Sequence, residues 1–343
     1  MPSSLPRRRS VLAGLAGTAG LASLAACGDS ATETGATPTA TATAEAGAFP
    51  VTITHALGKA EIPAQPKRVV TWGWGSGDVC WKLGTAPVAV PTNTYGAEED
   101  GTLAWWEGYY DASVTTLLPN PDGGQVPFEA IAAATPDLIL AVYSGITQDD
   151  FDRLTQIAPT VAYPDGAWKT PWQTQTTLIG EALGQKAAAE KLVTDTEASY
   201  KEKAAADPAI AGKTFAYLYA TEASLSVYLP GDSRVDLLSD MGLVNAPIVE
   251  ELAGTTDQFY TELAKERSGD MDAQVIVGYG TLTLEQLQAD PVYGAVPAVK
   301  AGSVAWLTDE AEISATSPTV LSLPWVLDRF LPSLAEAAGK APA

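Results

Sequence analysis

The stretch FEAIAAATPDLILAV, residues 128–142, decides the fold class, because it places a helix immediately before a buried strand. Its first half is rich in alanine and predicts a helix, which Pro136 ends. Its second half, Leu138–Val142, is an unbroken apolar run, typical of a strand buried on both faces. A helix over Asp149–Ile157 and a strand at Val161–Tyr163 follow. This alternation predicts a mostly parallel sheet flanked by helices.

The same alternation continues on both sides of that stretch. Strands are expected at 49–55, 68–72, 87–90, 214–219, 273–277 and 303–306, and helices at 76–83, 234–241, 260–267, 282–289 and 317–337. Between the two series, 170–206 predicts one long helix of good propensity. The expected fold is therefore α/β, with two Rossmann-like lobes joined by one long helix and a ligand cleft between them. The lobes are predicted at 49–169 and 207–343, and a helical connection should permit only small closure.

The first residues resemble an export signal rather than part of the fold. Arg7 to Arg9 form a basic head, an uncharged segment follows, and Leu24-Ala25-Ala26-Cys27 has the form of a lipobox. We therefore expect a signal peptide at 1–26, a lipid on Cys27 and a flexible tether over 27–48. The Arg8-Arg9 pair also fits a twin-arginine signal, so both that route and the general secretory route stay open.

Composition argues against several classes of function. The formal net charge of −21 disfavours binding to nucleic acid or to a bare anionic membrane. His55 is the single histidine, which disfavours a site for a bare metal ion, and we expect it to have a structural role in an N-terminal hairpin. Cys80 is expected to be a small buried hydrophobe. The Gly-x-Gly-x-Gly run at 73–77 lacks the spacing of a dinucleotide fingerprint, although an exported α/β enzyme using this loop remains an alternative.

The order of several motifs carries a resemblance to a known family. These are the segment 51–70, Leu83-Gly84 with the strand 87–90, the stretch 128–140, the segment 150–160, and 313–325 near the end. Together they resemble the iron-siderophore-binding proteins of ABC importers, the helix-linked type of periplasmic binding protein. The resemblance implies a monomeric, non-enzymatic lipoprotein on the outer face of the cytoplasmic membrane. It would deliver a ferric siderophore to a permease dimer and would hold no intrinsic cofactor. Cobalamin or haem remains an alternative cargo.

Aromatic side chains near strand ends and in inter-element loops are the candidate ligand contacts. Rings bury large areas, and a siderophore already supplies the ligands of its iron, so the protein needs apolar walls and hydrogen bonds rather than metal ligands. The scarcity of basic residues favours a neutral or cationic hydroxamate complex. The candidate residues are Trp72, Trp74, Trp106, Tyr143, Trp172, Tyr219, Arg234, Tyr279 and Trp325.

The resemblance also implies one surface glutamate on each lobe that docks onto basic pockets of the permease. By motif these are Glu129, which opens the helix before the strand at 138, and Glu262, on the helix expected at 260–267. Glu266 lies closer to the following strand and is the weaker candidate.

Lipidation of Cys27 predicts a clear effect of one substitution. Because the thiol is the lipid acceptor, Cys27→Ala should leave the protein unlabelled by a radioactive fatty acid and released from the membrane fraction. Labelling and fractionation of cells that express each form test this. A variant that is labelled and processed like the wild type would contradict the lipobox.

Overall fold

The computed structural model describes residues 43–120 and 124–342. The predicted signal peptide, the cysteine predicted to carry a lipid (Cys27) and most of the predicted tether lie outside these residues. Within them, no helix is both long and apolar enough to cross a bilayer.

The first lobe is built on a parallel five-stranded sheet with the order β5-β4-β3-β6-β7. Leu138–Ala141 of β6 is completely buried and lies between two neighbours, as its uninterrupted apolar sequence predicts. A separate antiparallel hairpin precedes the sheet. The elements are β1 Val51–His55, β2 Gly58–Ile62, β3 Val69–Thr71, α1 Ser76–Lys82, β4 Ala89–Pro91, a 3-10 turn Ala104–Trp106, β5 Thr116–Leu118, α2 Phe128–Ala133, β6 Leu138–Ala141, α3 Gln148–Leu154 and β7 Thr160–Ala162.

Residues 170–206 form two helices, so the prediction of a single helix is wrong. The helices are α4 Trp172–Ala182 and α5 Lys186–Ala205. Gly184 ends α4 with φ +71, and Gln185 N donates to Gly180 O across the turn, which is a glycine-terminated helix end. Because α4 packs on α1 and β1, it belongs to the first lobe. Only α5, about 30 Å long, runs between the lobes.

The end of the predicted tether is part of the folded body. Glu45 N donates to Gly184 O at 2.7 Å, and the Glu45 carboxylate accepts from Ala187 N at 2.8 Å. Phe49 lies beside Gly184 as well. The folded body therefore includes residues before the predicted boundary at Phe49, and these residues are fixed at the turn between α4 and α5.

The second lobe contains a mixed sheet with the order β11-β9-β8-β12-β13, and β10 also pairs with β8. Strands β8, β10, β12 and β13 pair in parallel, while β9 pairs antiparallel with both β8 and β11. The elements are β8 Thr214–Ala220, β9 Ser224–Tyr228, α6 Ser233–Asp240, β10 Val244–Asn245, α7 Pro247–Ala253, β11 Tyr260–Ala264, a 3-10 turn Lys265–Asp270, β12 Val275–Gly280, α8 Leu284–Ala289, a 3-10 turn Tyr293–Ala295, α9 Pro297–Ala301, β13 Val304–Trp306, α10 Glu310–Ala315 and α11 Ser322–Gly339.

The prediction of a helix at 260–267 is wrong, because the first part of that segment is strand β11. It pairs with β9, with Tyr260 opposite Tyr228 and Leu263 opposite Leu225. Leu263 is buried in the lobe's core, whereas its neighbours Glu262 and Ala264 are exposed. The pairing and the burial of one leucine override the helix propensity of the local sequence.

A buried carboxylate joins the two lobes. Asp78, on α1, accepts from Trp105 Nε1 at 3.0 Å and from Trp106 Nε1 at 2.8 Å, and it also accepts from the Thr319 hydroxyl. Thr319 lies between α10 and α11 of the second lobe, and Trp325 on α11 packs against Trp105 with ring centroids 5.7 Å apart. One apolar core is continuous across this junction.

Because the Asp78 carboxyl group is buried at this junction, we expect the stability of the protein to depend on pH. Burial raises the pKa of Asp78 from 3.8 to about 6, against the opposing effect of its hydrogen-bond donors. Between about pH 4 and pH 6 the Asp78 carboxyl group is therefore more fully protonated in the folded chain than in the unfolded chain. The stability that this carboxyl group contributes falls as the pH rises through that window, by about 3 kcal/mol in total.

Asp78→Asn removes this titration. The free energy of unfolding of the variant relative to the wild type should rise by about 3 kcal/mol between the low and high ends of that window. Urea denaturation at several pH values measures it, with the exposed Asp149→Asn as a control for loss of one charge. The absolute stability of the variant is not the readout, because the new amide also meets two indole N–H groups. A difference that is independent of pH would contradict the assignment.

Candidate functional site

A cavity of about 870 Å³ lies between the lobes. Its volume falls in the range of small-molecule sites. The first lobe lines it with Tyr143 and residues 168–173, and the second lobe with residues 230–234, 236–237, 239–240 and 257–259.

The fold explains why these segments meet. Tyr143 comes two residues after β6, and the segment 168–171 connects β7 to α4, so both lie beyond the carboxyl ends of parallel strands. Ligands favour that edge of an α/β sheet. On the other side, α6 begins five residues after β9 and presents its first turns to the cavity.

Trp168 is the most distinctive group of the cavity wall. Its backbone has φ +57, which is unusual and strained for a bulky residue, yet 51% of its surface is exposed. Its ring meets Tyr143 edge-on at 5.7 Å, and the backbone N–H of Trp168 donates to Ser144 O. A Cβ at Gly145 would lie 2.3 Å from Trp168 Nε1, so only glycine permits this ring position. The fold holds a large aromatic surface open to the cavity.

Arg234 is fixed by an acidic partner on the opposite wall. Its Nε and Nη2 donate to the two oxygens of Asp232 at 2.8 and 2.6 Å, and Asp232 also caps α6. Burial acts to lower the pKa of Arg234, but the Asp232 carboxylate outweighs it and holds that pKa above its usual range. The guanidinium lies 4.1 Å from the Tyr228 ring centroid. The pair is therefore rigid and almost electrically neutral.

A group of tyrosines extends the second-lobe wall away from the cavity. The hydroxyls of Tyr228 and Tyr279 are 2.8 Å apart, and Tyr279 packs against Tyr219 at 5.2 Å. On its other side Tyr228 stacks on Phe259, which lines the cavity and is 40% exposed. Tyr219 and Tyr279 thus connect to the cavity through Tyr228 without lining it.

The predicted site residues divide into three groups. Tyr143, Trp172 and Arg234 line the cavity. Trp74, Tyr219, Tyr279 and Trp325 are partly buried outside it; Trp74 donates to Ser317 O and Trp325 stacks under Arg329. Trp72 and Trp106 are buried in the cores, the second bonded to Asp78, and these positions argue against the predicted ligand contact.

Sequence reasoning missed Trp168 and Phe259. Both occupy loops that contain no strand or helix signal of their own. The one available signal for Trp168 was its place between a predicted strand and a predicted helix, a property shared by several of the nine tryptophans of the chain.

Other functional groups of the sequence are not available at the cavity. His55 is buried in the β1–β2 hairpin, where burial lowers its pKa, and burial raises the pKa of the Cys80 thiol. A Cβ at Gly75 would lie 2.8 Å from Thr319, so this glycine loop is filled by the lobe junction rather than open to a phosphate. Residues 43–120 and 124–342 contain no cluster of His, Cys, Asp and Glu that could hold a metal ion.

Residues 69–311 match the family described as periplasmic binding protein. The chain belongs to the periplasmic binding protein family. Its fold is also similar to solved members. The iron-uptake protein PiaA of Streptococcus pneumoniae TIGR4, solved in complex with ferrichrome, is 33% identical with a TM-score of 0.77, over 85% of this chain and 99% of that one. A periplasmic solute-binding protein of Mycobacterium smegmatis is 28% identical with a TM-score of 0.72, over 84% of this chain and 99% of that one.

A curated relative gives a shorter match. The putative ABC transporter substrate-binding lipoprotein YhfQ of Bacillus subtilis strain 168 is 32% identical over 155 residues, which is 44% of this chain and 45% of that protein. The family and these neighbours are substrate-binding proteins. The predicted two-lobed α/β fold with a cleft is confirmed by the family match and by these structures.

Proposed function

We propose that this protein is the extracytoplasmic substrate-binding component of an ABC importer, which captures a ferric siderophore between its lobes and delivers it to the permease. The observation that carries the proposal is the aromatic-walled cavity of about 870 Å³ between the lobes. A siderophore supplies all the ligands of its iron, so such a cavity needs no metal-binding side chains of its own. The ferrichrome complex of PiaA and the lipoprotein name of YhfQ support this reading.

The cavity offers the contacts that such a ligand needs. Trp168 and Phe259 present exposed rings from opposite lobes, which suits the burial of apolar siderophore arms. Tyr143 and the fixed Arg234 supply donors for the oxygen atoms around the iron. The ligand is thus held by both lobes at once, with specificity set by a few polar groups.

Trp168 provides the direct test. Trp168→Ala should weaken binding of a ferric siderophore by about 1–3 kcal/mol, since a large apolar contact is lost, whereas Trp168→Phe should restore part of it. Calorimetric titration with ferrichrome and ferrioxamine B measures the affinities. Phe128→Ala, which removes a partly buried ring outside the cavity, is the control. Failure of the wild-type protein to bind any ferric siderophore would refute the proposal. Unchanged affinity in Trp168→Ala would show that Trp168 does not contact the ligand.

For the permease contact, the topology favours Glu266 over the predicted Glu262. Strands β6 and β12 hold equivalent places, because each runs parallel to the first strand of its lobe's sheet. Glu129 precedes β6 by nine residues, and Glu266 precedes β12 by nine. Glu262 is four residues further away, on strand β11, where its carboxylate accepts from Ser226 Oγ. Both Glu129 and Glu266 are exposed.

A matched pair of double variants tests this choice. Glu129→Ala with Glu266→Ala should slow siderophore uptake by cells at least about tenfold while leaving siderophore affinity unchanged, because rim charges set encounter and register with a partner. Glu129→Ala with Glu262→Ala should retain more uptake. Transport of radioactive iron and titration of the purified variants measure the two properties. Equal uptake by both double variants would show that Glu266 has no special role.

A further inference from the structure

The cavity has an unbalanced charge. Four carboxylates and two cationic side chains line it, which gives a net formal charge of −2. Asp232 is paired with Arg234. The other three carboxylates, Asp236, Asp240 and Asp257, form no ion pair among residues 43–120 and 124–342, and neither does the remaining cation, Lys169.

Two of these carboxylates form a fixed pair on one helix. Asp236 and Asp240 lie one turn apart on α6, and both face the cavity. Tyr200 donates its hydroxyl to Asp240 Oδ2 at 2.9 Å, and Gly231 N donates to Asp236 Oδ1 at 2.9 Å. Burial raises the pKa of Asp236, the hydrogen bond from Gly231 N opposes that shift, and the neighbouring charges of Asp232 and Asp240 add to it. Like charges lie together here, and no cation pairs with either of them in the described part of the chain.

The surrounding groups define the cation that would balance this charge. The described residues contain no cluster that could hold a metal ion, so a bare metal is not the expected occupant. The exposed rings of Trp168 and Phe259 line the same cavity from opposite lobes, and the faces of such rings attract organic cations. An ammonium group on a flexible arm fits both the carboxylates and the rings.

We infer that the transported ferric complex is cationic, with an ammonium-bearing arm that lies against Asp236 and Asp240. This inference rests on the proposed function. Three hydroxamate groups cancel the charge of Fe³⁺, so an amine on an arm makes such a complex positive. Catecholate and carboxylate complexes keep negative charge, and the cavity repels them. The two aspartates are thus specificity-determining residues for the charge of the ligand.

A matched pair of ligands isolates the charge. Ferrioxamine B has a neutral ferric core and one protonated amine, and its N-acetyl derivative has the same core without the charge. Near neutral pH and at low salt, acetylation should weaken binding to the wild-type protein by about tenfold, the effect of one charge pair at a partly solvated site. In Asp236→Asn with Asp240→Asn the two ligands should bind within about twofold of each other, and Asp149→Asn should behave like the wild type.

The outcomes separate this inference from the proposed function. Equal wild-type affinity for ferrioxamine B and its acetylated form would overturn the inference, whether or not the double variant folds. If ferrichrome also binds in that case, the proposed function stands. If none of the three complexes binds, this inference falls, and the proposed function falls as well only if the protein also binds no catecholate or carboxylate complex of ferric iron. Raised salt should reduce the difference between the two forms in the wild-type protein, as screening requires.

Discussion

The hydrogen bonds to Asp78 are the interaction on which the arrangement of the lobes depends. A carboxylate with no solvent access is costly to bury, and it is retained only if donors surround it. Here two indoles come from the first lobe and one hydroxyl from the second. Because the carboxylate would lose a partner if the lobes separated, the junction resists rotation more than apolar packing alone. Together with helix α5, this junction supports the prediction that the lobes close only slightly around a ligand.

Limited closure of the cleft would have a consequence for affinity. A binding site that is already formed loses little conformational entropy when the ligand arrives. The left-handed backbone of Trp168 and the paired Asp232 and Arg234 are two examples, since contacts within the protein hold each group in place. The strain at Trp168 is compensated by its contacts with Tyr143 and with the glycine beneath it. The cost of ordering the site is met when the chain folds.

Sequence patterns predicted most of the parallel strands and the order of the lobes, because buried runs such as Leu138–Ala141 carry their own signal, but they did not predict strands β5, β9, β10 and β11. They failed where one contact overrides local preference. Gly184 lies inside the predicted helix 170–206, and the turn at this glycine divides that segment into α4 and α5. The segment around Leu263 has helix propensity but pairs as strand β11, because Leu263 is buried in the core. Aromatic residues were the least predictable. Trp106 and Trp168 both occupy loops, but only tertiary contacts make one a core residue bonded to Asp78 and leave the other open to the cavity.

The attachment of Glu45 to the turn between α4 and α5 determines where the predicted tether ends. If Cys27 carries the lipid, 18 residues separate the membrane anchor from that point, and a chain of this length reaches at most about 60 Å. A receptor site within this radius meets the protein at an effective concentration of the order of millimolar. Contacts between a few surface charges, too weak to hold two freely diffusing proteins together, are then strong enough for repeated brief encounters. Weak contacts also let the protein dissociate quickly from its receptor after it has released its ligand. A short tether would therefore favour rapid turnover over tight association.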